Sequence, residues 1–150
     1  MNSFDKAKMK DLHPVISECI RDGGQFVFYP TGTSMLPTIV PCEDCVILVE
    51  ADKIKKNDLV LFVRTNGTYV LHRIIGEKCG EYIIMGDNQT WTERIVPSQV
   101  IAKVAEIRKK DGKILTFSEF SSVTTMTSLF FHKSVMRVKN KIKRILKGNK

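Results

Sequence analysis

A serine and a histidine are the residues of this sequence best placed to do chemistry together. Ser34 lies in the segment 31–38, which reads TGTSMLPT and separates two apolar runs at 26–29 and 46–49. A serine with glycine and proline close by in such a segment is predicted to lie on a turn, where its hydroxyl reaches a cleft. The simpler interpretation is a polar turn in which Ser34 bonds only to nearby backbone.

His72 is the histidine best positioned to activate that serine. It lies within the apolar run 69–75, whereas His13 falls in a predicted N-terminal helix and His132 in the C-terminal tail. A serine hydroxyl is a weak nucleophile until a base removes its proton, and an imidazole titrates in the useful range. On its own, a histidine in an apolar strand is more often a core residue. Paired with Ser34 across neighbouring strands, it is predicted to be a general base.

Two carboxylates follow the strand after His72, and either of them is a candidate to orient the imidazole. Asp87 belongs to a Gly-Asp-Asn segment, and Glu93 lies six residues further on. A carboxylate normally holds a catalytic histidine in the productive tautomer. The backbone N–H of Ser34 is predicted to donate to the oxyanion that forms during attack.

The elements that position these residues are predicted from hydrophobic periodicity. Residues 5–22 have helical spacing, although Pro14 favours a start near residue 12. Two dipeptides between apolar runs, at 66–67 and 111–112, predict hairpins with type I′ turns. The fold class is therefore mainly β, a compact, antiparallel, barrel-like domain with a helix at each end. Strands are predicted at 25–30, 45–50, 58–64, 68–76, 81–85, 100–109 and 113–117.

Net charge separates the tail from the body. Residues 1–132 hold 16 basic and 16 acidic side chains, whereas residues 133–150 hold eight basic and none acidic. The boundaries expected are an N-terminal helix over 1–24, a β-rich domain over 25–117, a linker over 118–127 and a basic amphipathic helix over 128–150. That helix either packs on the body or lies on an anionic membrane surface. Binding to nucleic acid is not favoured, because no aromatic platform or groove-reading motif accompanies the charge.

Composition also bears on compartment and cofactors. The N-terminus lacks the apolar core of a signal peptide, and no apolar run is long enough to cross a bilayer, so we expect a cytoplasmic protein. Thiols stay reduced in that compartment. The spacing of Cys42 and Cys45 is that of half a zinc site, but no second pair follows. We therefore predict neither a metal nor another cofactor.

Taken in order, five segments of the sequence resemble the type I signal peptidases and the related self-cleaving repressor peptidases. The resemblance extends over about residues 26–108 and rests on the order and spacing of the segments. They read GTSMLPT at 32–38, EDCV at 43–46, NDLVLF at 57–62, HRI at 72–74 and GDN at 86–88.

That resemblance implies a β-rich peptidase in which Ser34 is the nucleophile and His72 the base. A histidine followed by arginine is the pattern of the endoplasmic-reticulum, archaeal and sporulation-type signal peptidases, whereas most bacterial members use lysine. In that branch Asp87 and an acid at position 93 support the histidine. Glu93 occupies a position where an aspartate is usual, and its side chain is longer by one methylene group.

The turn around the serine is where the resemblance implies substrate and oxyanion contacts. The substrate would be an extended peptide or protein segment, added as a strand beside Ser34, with a small side chain before the cleaved bond. Some lysine-type members have an oxyanion-donating serine where this chain has Gly32. The remaining residues expected to border substrate or oxyanion are Thr33, Met35 and Pro37.

Two departures from the family shape the functional expectation. Glu43-Asp44 replaces the usual Gly-Asp of the first turn, and no membrane anchor precedes the serine. We therefore expect a cytoplasmic peptidase that matures a leader or signal-like peptide. A self-cleaving repressor is less favoured, because no helix-turn-helix domain precedes the body and its base would be lysine. A non-catalytic module that binds peptides or a membrane surface is the other alternative.

Overall fold

The computed structural model describes residues 3–116 of the chain. The predicted linker at 118–127 and the predicted basic helix at 128–150 lie outside the described residues. Within them, the helices are α1 (Ser3–Ile20) and two short 3-10 helices, Arg21–Gly23 and Pro97–Gln99. The strands are β1 (Phe26–Phe28), β2 (Cys45–Val49), β3 (Leu59–Val63), β4 (Tyr69–Lys78), β5 (Glu81–Met85), β6 (Glu93–Ile95), β7 (Val100–Arg108) and β8 (Ile114–Thr116).

The N-terminal helix is confirmed, but a start near residue 12 is wrong, because α1 runs through Pro14. A proline inside a helix removes one backbone hydrogen bond and costs about 3 kcal/mol. Ile16 and Ile20 follow it on the inner side of the helix, and their exposed fractions are 0% and 3%. Burial of each such side chain contributes about 1.5–3 kcal/mol. Packing against the sheet therefore outweighs the local preference of the proline.

The strands form one antiparallel sheet, which confirms the mainly β class. Their order is β1-β2-β7-β3-β4-β5-β6, and β8 pairs with the end of β7. The long strand β7 holds the sheet together, because β2 pairs along it and β3 pairs with its first residues. Among the described residues, no pairing joins β1 to β6, so the sheet is open. The expectation of a barrel is not met in this respect.

Both predicted hairpins form, but with a different turn from the one expected. At the β3–β4 turn, the Gly67 N–H donates to the Arg64 carbonyl at 2.8 Å, and Gly67 has a φ of 77° while Asn66 has no positive φ. The β7–β8 turn repeats this geometry, with a bond from Gly112 to Lys109 and a φ of 87° at the glycine. This is a three-residue loop with a glycine bulge, not a type I′ turn.

The type I′ geometry occurs instead between β4 and β5. Lys78 pairs with Glu81, which leaves Cys79 and Gly80 as the two central residues. Their φ angles are 54° and 77°. Both central residues of a type I′ turn need positive φ, and a cysteine rarely adopts it. The sequence therefore gave little indication of this turn.

The strand β3 is buried on both of its faces and positions the site. Leu59 and Leu61 belong to the larger core cluster, under α1, while Val60 and Phe62 belong to a second cluster on the other face. Because β3 and β4 are paired with Val60 opposite His72, the histidine is delivered to the second face, next to Phe62. Its ring lies 5.9 Å from the Phe62 ring, centroid to centroid.

Candidate active site

Ser34 lies in a turn over residues 33–39, as predicted. The Leu36 N–H donates to the Thr33 carbonyl at 3.3 Å, and the Ile39 N–H donates to the Met35 carbonyl at 3.0 Å. Met35 and Ile39 are buried in the main core with exposed fractions of 2% and 0%. These two side chains anchor the turn in the core, and Ser34, which directly precedes Met35, is half-buried.

The Gly-Asp-Asn segment docks directly on this turn. The Asn88 N–H donates to the Ser34 carbonyl at 2.8 Å, and the Asn88 side-chain amide donates to the Thr33 carbonyl at 3.1 Å. A Cβ placed on Gly86 would lie 2.7 Å from the Ser34 carbonyl oxygen. Glycine at this position therefore allows the two segments to approach closely.

Ser34 and His72 line the same cavity, which has a volume of about 640 Å³. Of the turn residues expected to border the substrate, Gly32, Thr33 and Met35 also line it. Pro37 is exposed and is not part of the cavity wall. Ser34, His72 and three of the four turn residues predicted beside them therefore border one cavity.

Much of the remaining wall of this cavity is apolar, and two elements of the N-terminal part contribute to it. Met9 and Leu12 of α1 lie on one side, and Phe26 and Phe28 of β1 lie nearby. Tyr69 also lines it, and its hydroxyl is 3.1 Å from Nδ1 of His13 on α1. A cavity with this lining suits apolar side chains of a ligand.

His72 is almost completely buried, with an exposed fraction of 1%. Its Nδ1 lies 3.3 Å from Oε1 of Glu93, at a geometry that stops short of a hydrogen bond. Its Nε2 has no hydrogen-bond partner among residues 3–116, so the imidazole and the Ser34 hydroxyl are not bonded to each other. In unliganded enzymes the bond between base and nucleophile is often long and tightens only with substrate.

Burial is the main influence on the charge of this imidazole. It lowers the pKa of His72 from an ordinary 6.5 to about 4, and the neighbouring Arg64 cation acts in the same direction. The Glu93 and Asp87 carboxylates oppose this shift but do not overcome it. His72 is therefore neutral at pH 7, which is the state that a general base requires.

Glu93, at the start of β6, is the carboxylate that contacts the imidazole. The Arg64 guanidinium binds both of its oxygens, with Nε 2.6 Å from Oε2 and one terminal nitrogen 2.5 Å from Oε1. The hydrogen bonds and charge of Arg64 lower the pKa of Glu93, against the opposing effect of burial. Glu93 is therefore ionised beside a neutral His72.

Asp87 has different partners. Its two oxygens accept hydrogen bonds from the Arg73 guanidinium at 2.8 and 2.7 Å, and the Thr38 hydroxyl donates to it at 2.5 Å. Arg73 also donates to the Asn57 carbonyl at 2.9 Å. Asp87 and Arg73 are both buried, with exposed fractions of 0% and 2%. Of the two predicted carboxylates, the structure places Glu93 at the histidine and uses Asp87 to join the Ser34 turn to β4.

A family model described as Peptidase S24-like matches residues 2–107. The chain belongs to this family. The match spans α1, the Ser34 turn, His72 and both carboxylates, so it includes every residue of the site described above. No curated protein matches the sequence of this chain.

The backbone N–H of Ser34 is the predicted donor to an oxyanion. The Ser34 N–H forms no hydrogen bond with any residue in the described range. No atom lies within 4 Å of where a Cβ of Gly32 would be, so the space beside this turn is open. An unpaired N–H next to the attacking hydroxyl is the usual arrangement for stabilising a tetrahedral intermediate.

Four residues of this Peptidase S24-like site were not assigned a role from sequence. Thr38, Arg73 and Asn88 lie inside the segments on which the family resemblance rests, so the signal for them was present. Arg64 lies outside those segments, next to the Asn66-Gly67 turn, and nothing in the sequence pointed to its pairing with Glu93.

Neither a metal centre nor a membrane-spanning helix is found in the described part of the chain. No group of three or more histidine, cysteine, aspartate or glutamate side chains in that part has the arrangement of a metal site. All four cysteines are free thiols, and only Cys45 is buried. None of the described helices is long and apolar enough to cross a bilayer.

Proposed function

We propose that this Peptidase S24-like protein is a serine endopeptidase in which Ser34 is the nucleophile and His72 the general base. The observation that carries the proposal is that both residues line one cavity, with the Glu93 carboxylate 3.3 Å from Nδ1 of the imidazole. This is the order of groups in a nucleophile, base and orienting acid. The histidine at position 72 also favours the branch of signal peptidases that use histidine.

The proposed reaction is an acyl transfer in two steps. The Ser34 oxygen attacks the peptide carbonyl while Nε2 of His72 takes the hydroxyl proton, and the Ser34 N–H donates to the oxyanion. The C–N bond then breaks as His72 returns the proton to the leaving amine. Water repeats the sequence on the acyl-enzyme, again with His72 as base, and frees the serine. Glu93 stabilises the imidazolium that forms in each step.

The substrate proposed for this cavity is an extended peptide with apolar side chains, such as a leader or signal-like peptide. The apolar wall formed by α1 and β1 supports this choice. β1 pairs with β2 on one side, and no described strand pairs with its other edge. A peptide added there as a further strand would run along the cavity.

The proposed location is the cytoplasmic surface of an anionic membrane. The support is the division of charge, since residues 133–150 carry eight basic side chains and no acidic one. Anionic lipids attract such segments, at about 1 kcal/mol for each basic side chain near the surface. A peptidase held there would meet leader peptides before their export.

Cleavage of a leader-like peptide library by purified protein tests the proposed catalytic residues. We expect Ser34→Ala and His72→Ala each to lower kcat/KM by about a thousandfold or more while the folded structure is retained. Ser98, which is exposed on a 3-10 helix, gives the matched control, and Ser98→Ala should cleave like the wild type. Full activity in His72→Ala would contradict the proposal that His72 is the general base for Ser34.

A non-catalytic peptide-binding module on the same fold would give a different result. Peptides would then bind to the cavity with equal affinity in wild type and Ser34→Ala, and neither protein would release cleaved product.

A further inference from the structure

We infer that Arg64 is a positioning residue, which holds Glu93 in place so that Glu93 can orient His72. This inference rests on the proposed function. Arg64 follows the end of β3, where its N–H donates to the Thr68 carbonyl at 2.8 Å, so its backbone is fixed by the hairpin. From there its side chain reaches the wall of the cavity.

The contacts between Arg64 and Glu93 explain why a glutamate at position 93 needs an arginine partner. Both Glu93 oxygens are bound by Arg64, at 2.6 and 2.5 Å, and one of these oxygens also lies 3.3 Å from Nδ1 of His72. A glutamate has one more rotatable bond than an aspartate, so an unrestrained carboxylate loses more freedom when it is ordered. A planar guanidinium that binds both oxygens fixes the position and the rotation of the carboxylate.

The pair also balances charge beside the imidazole. Three charged groups face His72: Glu93 from β6, Arg64 from the β3–β4 turn and Asp87 from the loop after β5. Asp87 is already paired with Arg73. Arg64 offsets the charge of Glu93, so the carboxylate can orient the ring without drawing a proton onto it at rest. Loss of Arg64 should therefore free the Glu93 side chain and make protonation of His72 easier.

A double-mutant cycle on cleavage separates positioning from direct contact with the substrate. We expect Arg64→Gln to lower kcat by about 10- to 100-fold with little change in KM, as is found for groups that orient catalytic ligands. In a Glu93→Gln background the same change should have an effect of less than about twofold, because the group that Arg64 positions is gone. Arg64→Lys, which keeps the charge but not the two-point contact, should recover only part of the rate.

Arg94→Gln provides the control, because Arg94 makes a 3.7 Å ion pair with Glu81 on the exposed surface. It should cleave like the wild type. Equal losses from Arg64→Gln in both backgrounds, or a loss confined to KM, would overturn the inference and make Arg64 a substrate-binding residue.

A second readout does not depend on cleavage. The His72 ring can be titrated by NMR in a Ser34→Ala background, and we expect Arg64→Gln to raise its pKa by about half a unit or more. An unchanged pKa would contradict the inference even if no variant cleaves peptide, so failure of the proposed function and failure of this inference are distinguishable. If Arg64→Gln does not fold, Arg64→Lys is titrated instead, and a partial rise is expected.

Discussion

His72 is the residue whose charge state the fold controls most strongly. Its ring is buried against Phe62, and this burial keeps the imidazole neutral even with the Glu93 carboxylate 3.3 Å away. In the proposed reaction this neutral imidazole accepts the proton of Ser34, and Nε2 has no hydrogen-bond partner among the described residues that would compete for it. The same burial has a cost, because the imidazolium formed during the reaction is poorly solvated. Glu93 reduces that cost.

The pH dependence of cleavage should reflect this burial. The pKa of His72 is lowered to about 4, so we expect kcat/KM to be flat from about pH 8 to pH 6 and to reach half of its maximum only near pH 4. Stability changes in the same direction. The folded pKa is below the unfolded value, so the contribution of neutral His72 is complete above about pH 6.5 and is lost as the pH falls towards 4. A kcat/KM profile that is half-maximal near pH 6.5 would show that the ring is solvated in the working enzyme.

The buried pair of Asp87 and Arg73 should contribute to stability. Asp87→Asn leaves the Arg73 charge buried without an ionised partner, and we expect a loss of about 3–5 kcal/mol in the free energy of unfolding. The control is Glu81→Gln, which removes an exposed partner of Arg94 and should cost less than about 1 kcal/mol. Urea denaturation measures both. Equal urea midpoints for the two variants would mean that the buried Asp87–Arg73 pair contributes no more to stability than the exposed Glu81–Arg94 pair.

At the scale of elements, the site depends on two segments that are distant in sequence. The Ser34 turn is held from below by core side chains and from the side by the Gly86–Asn88 loop, which follows β5. Thr38 and Asp87 add a third link between them. Ser34 is therefore positioned by packing between loops, not by a strand of its own.

A methyl group on Gly86 should disturb the nucleophile without unfolding the protein. In Gly86→Ala the new Cβ would lie 2.7 Å from the Ser34 carbonyl oxygen, so one segment has to shift. We expect kcat/KM to fall by about tenfold or more and stability by about 1–3 kcal/mol.

Gly76→Ala is the matched control for this substitution, because the nearest atom to its Cβ would be Ile83 Cδ1 at 3.9 Å. It should retain activity. If both alanine variants cleave at the wild-type rate, the close approach of the two loops is not what positions Ser34.

The elements that were predictable from sequence are those with strong periodicity. The run 81–85 matches β5 at both ends, and the long strands β4 and β7 were placed within two residues. By contrast, β6 has three residues, of which two are charged, and it has no alternation to reveal it. Its register, with Glu93 opposite Ile84, brings that glutamate to His72. The choice between Glu93 and Asp87 was therefore not accessible from sequence.

The start of the helix α1 was predicted wrongly, because the prediction relied on local sequence alone. Local chemistry at Pro14 favoured a later start, but contacts with the sheet that are far away in sequence determine the outcome. Long-range packing of this kind, like the pairing of Arg64 with Glu93, leaves no signal at a fixed spacing.

At the scale of the whole molecule, the chain combines a body with balanced charge and a strongly basic C-terminal segment. Within the body, α1 and β1 contribute apolar side chains to the cavity wall, and Met35 belongs both to that wall and to the core.

Membrane binding by this segment can be tested directly. We expect the full chain to bind vesicles that contain anionic lipid, and to release them as salt is raised, because the attraction is electrostatic. Deletion of residues 128–150 should abolish this binding and leave cleavage of a soluble peptide unchanged. Vesicles of zwitterionic lipid alone provide the control. Equal binding by the truncated and full-length proteins would show that residues 128–150 do not bind the membrane.

The most direct test of the central claim is covalent labelling of the protein with a fluorophosphonate, followed by mapping of the modified residue by mass spectrometry. We expect a single adduct on Ser34, formed at the wild-type rate in Ser98→Ala and slowed by about a hundredfold or more in His72→Ala. An adduct elsewhere, or the same rate of Ser34 labelling without the histidine, would contradict it.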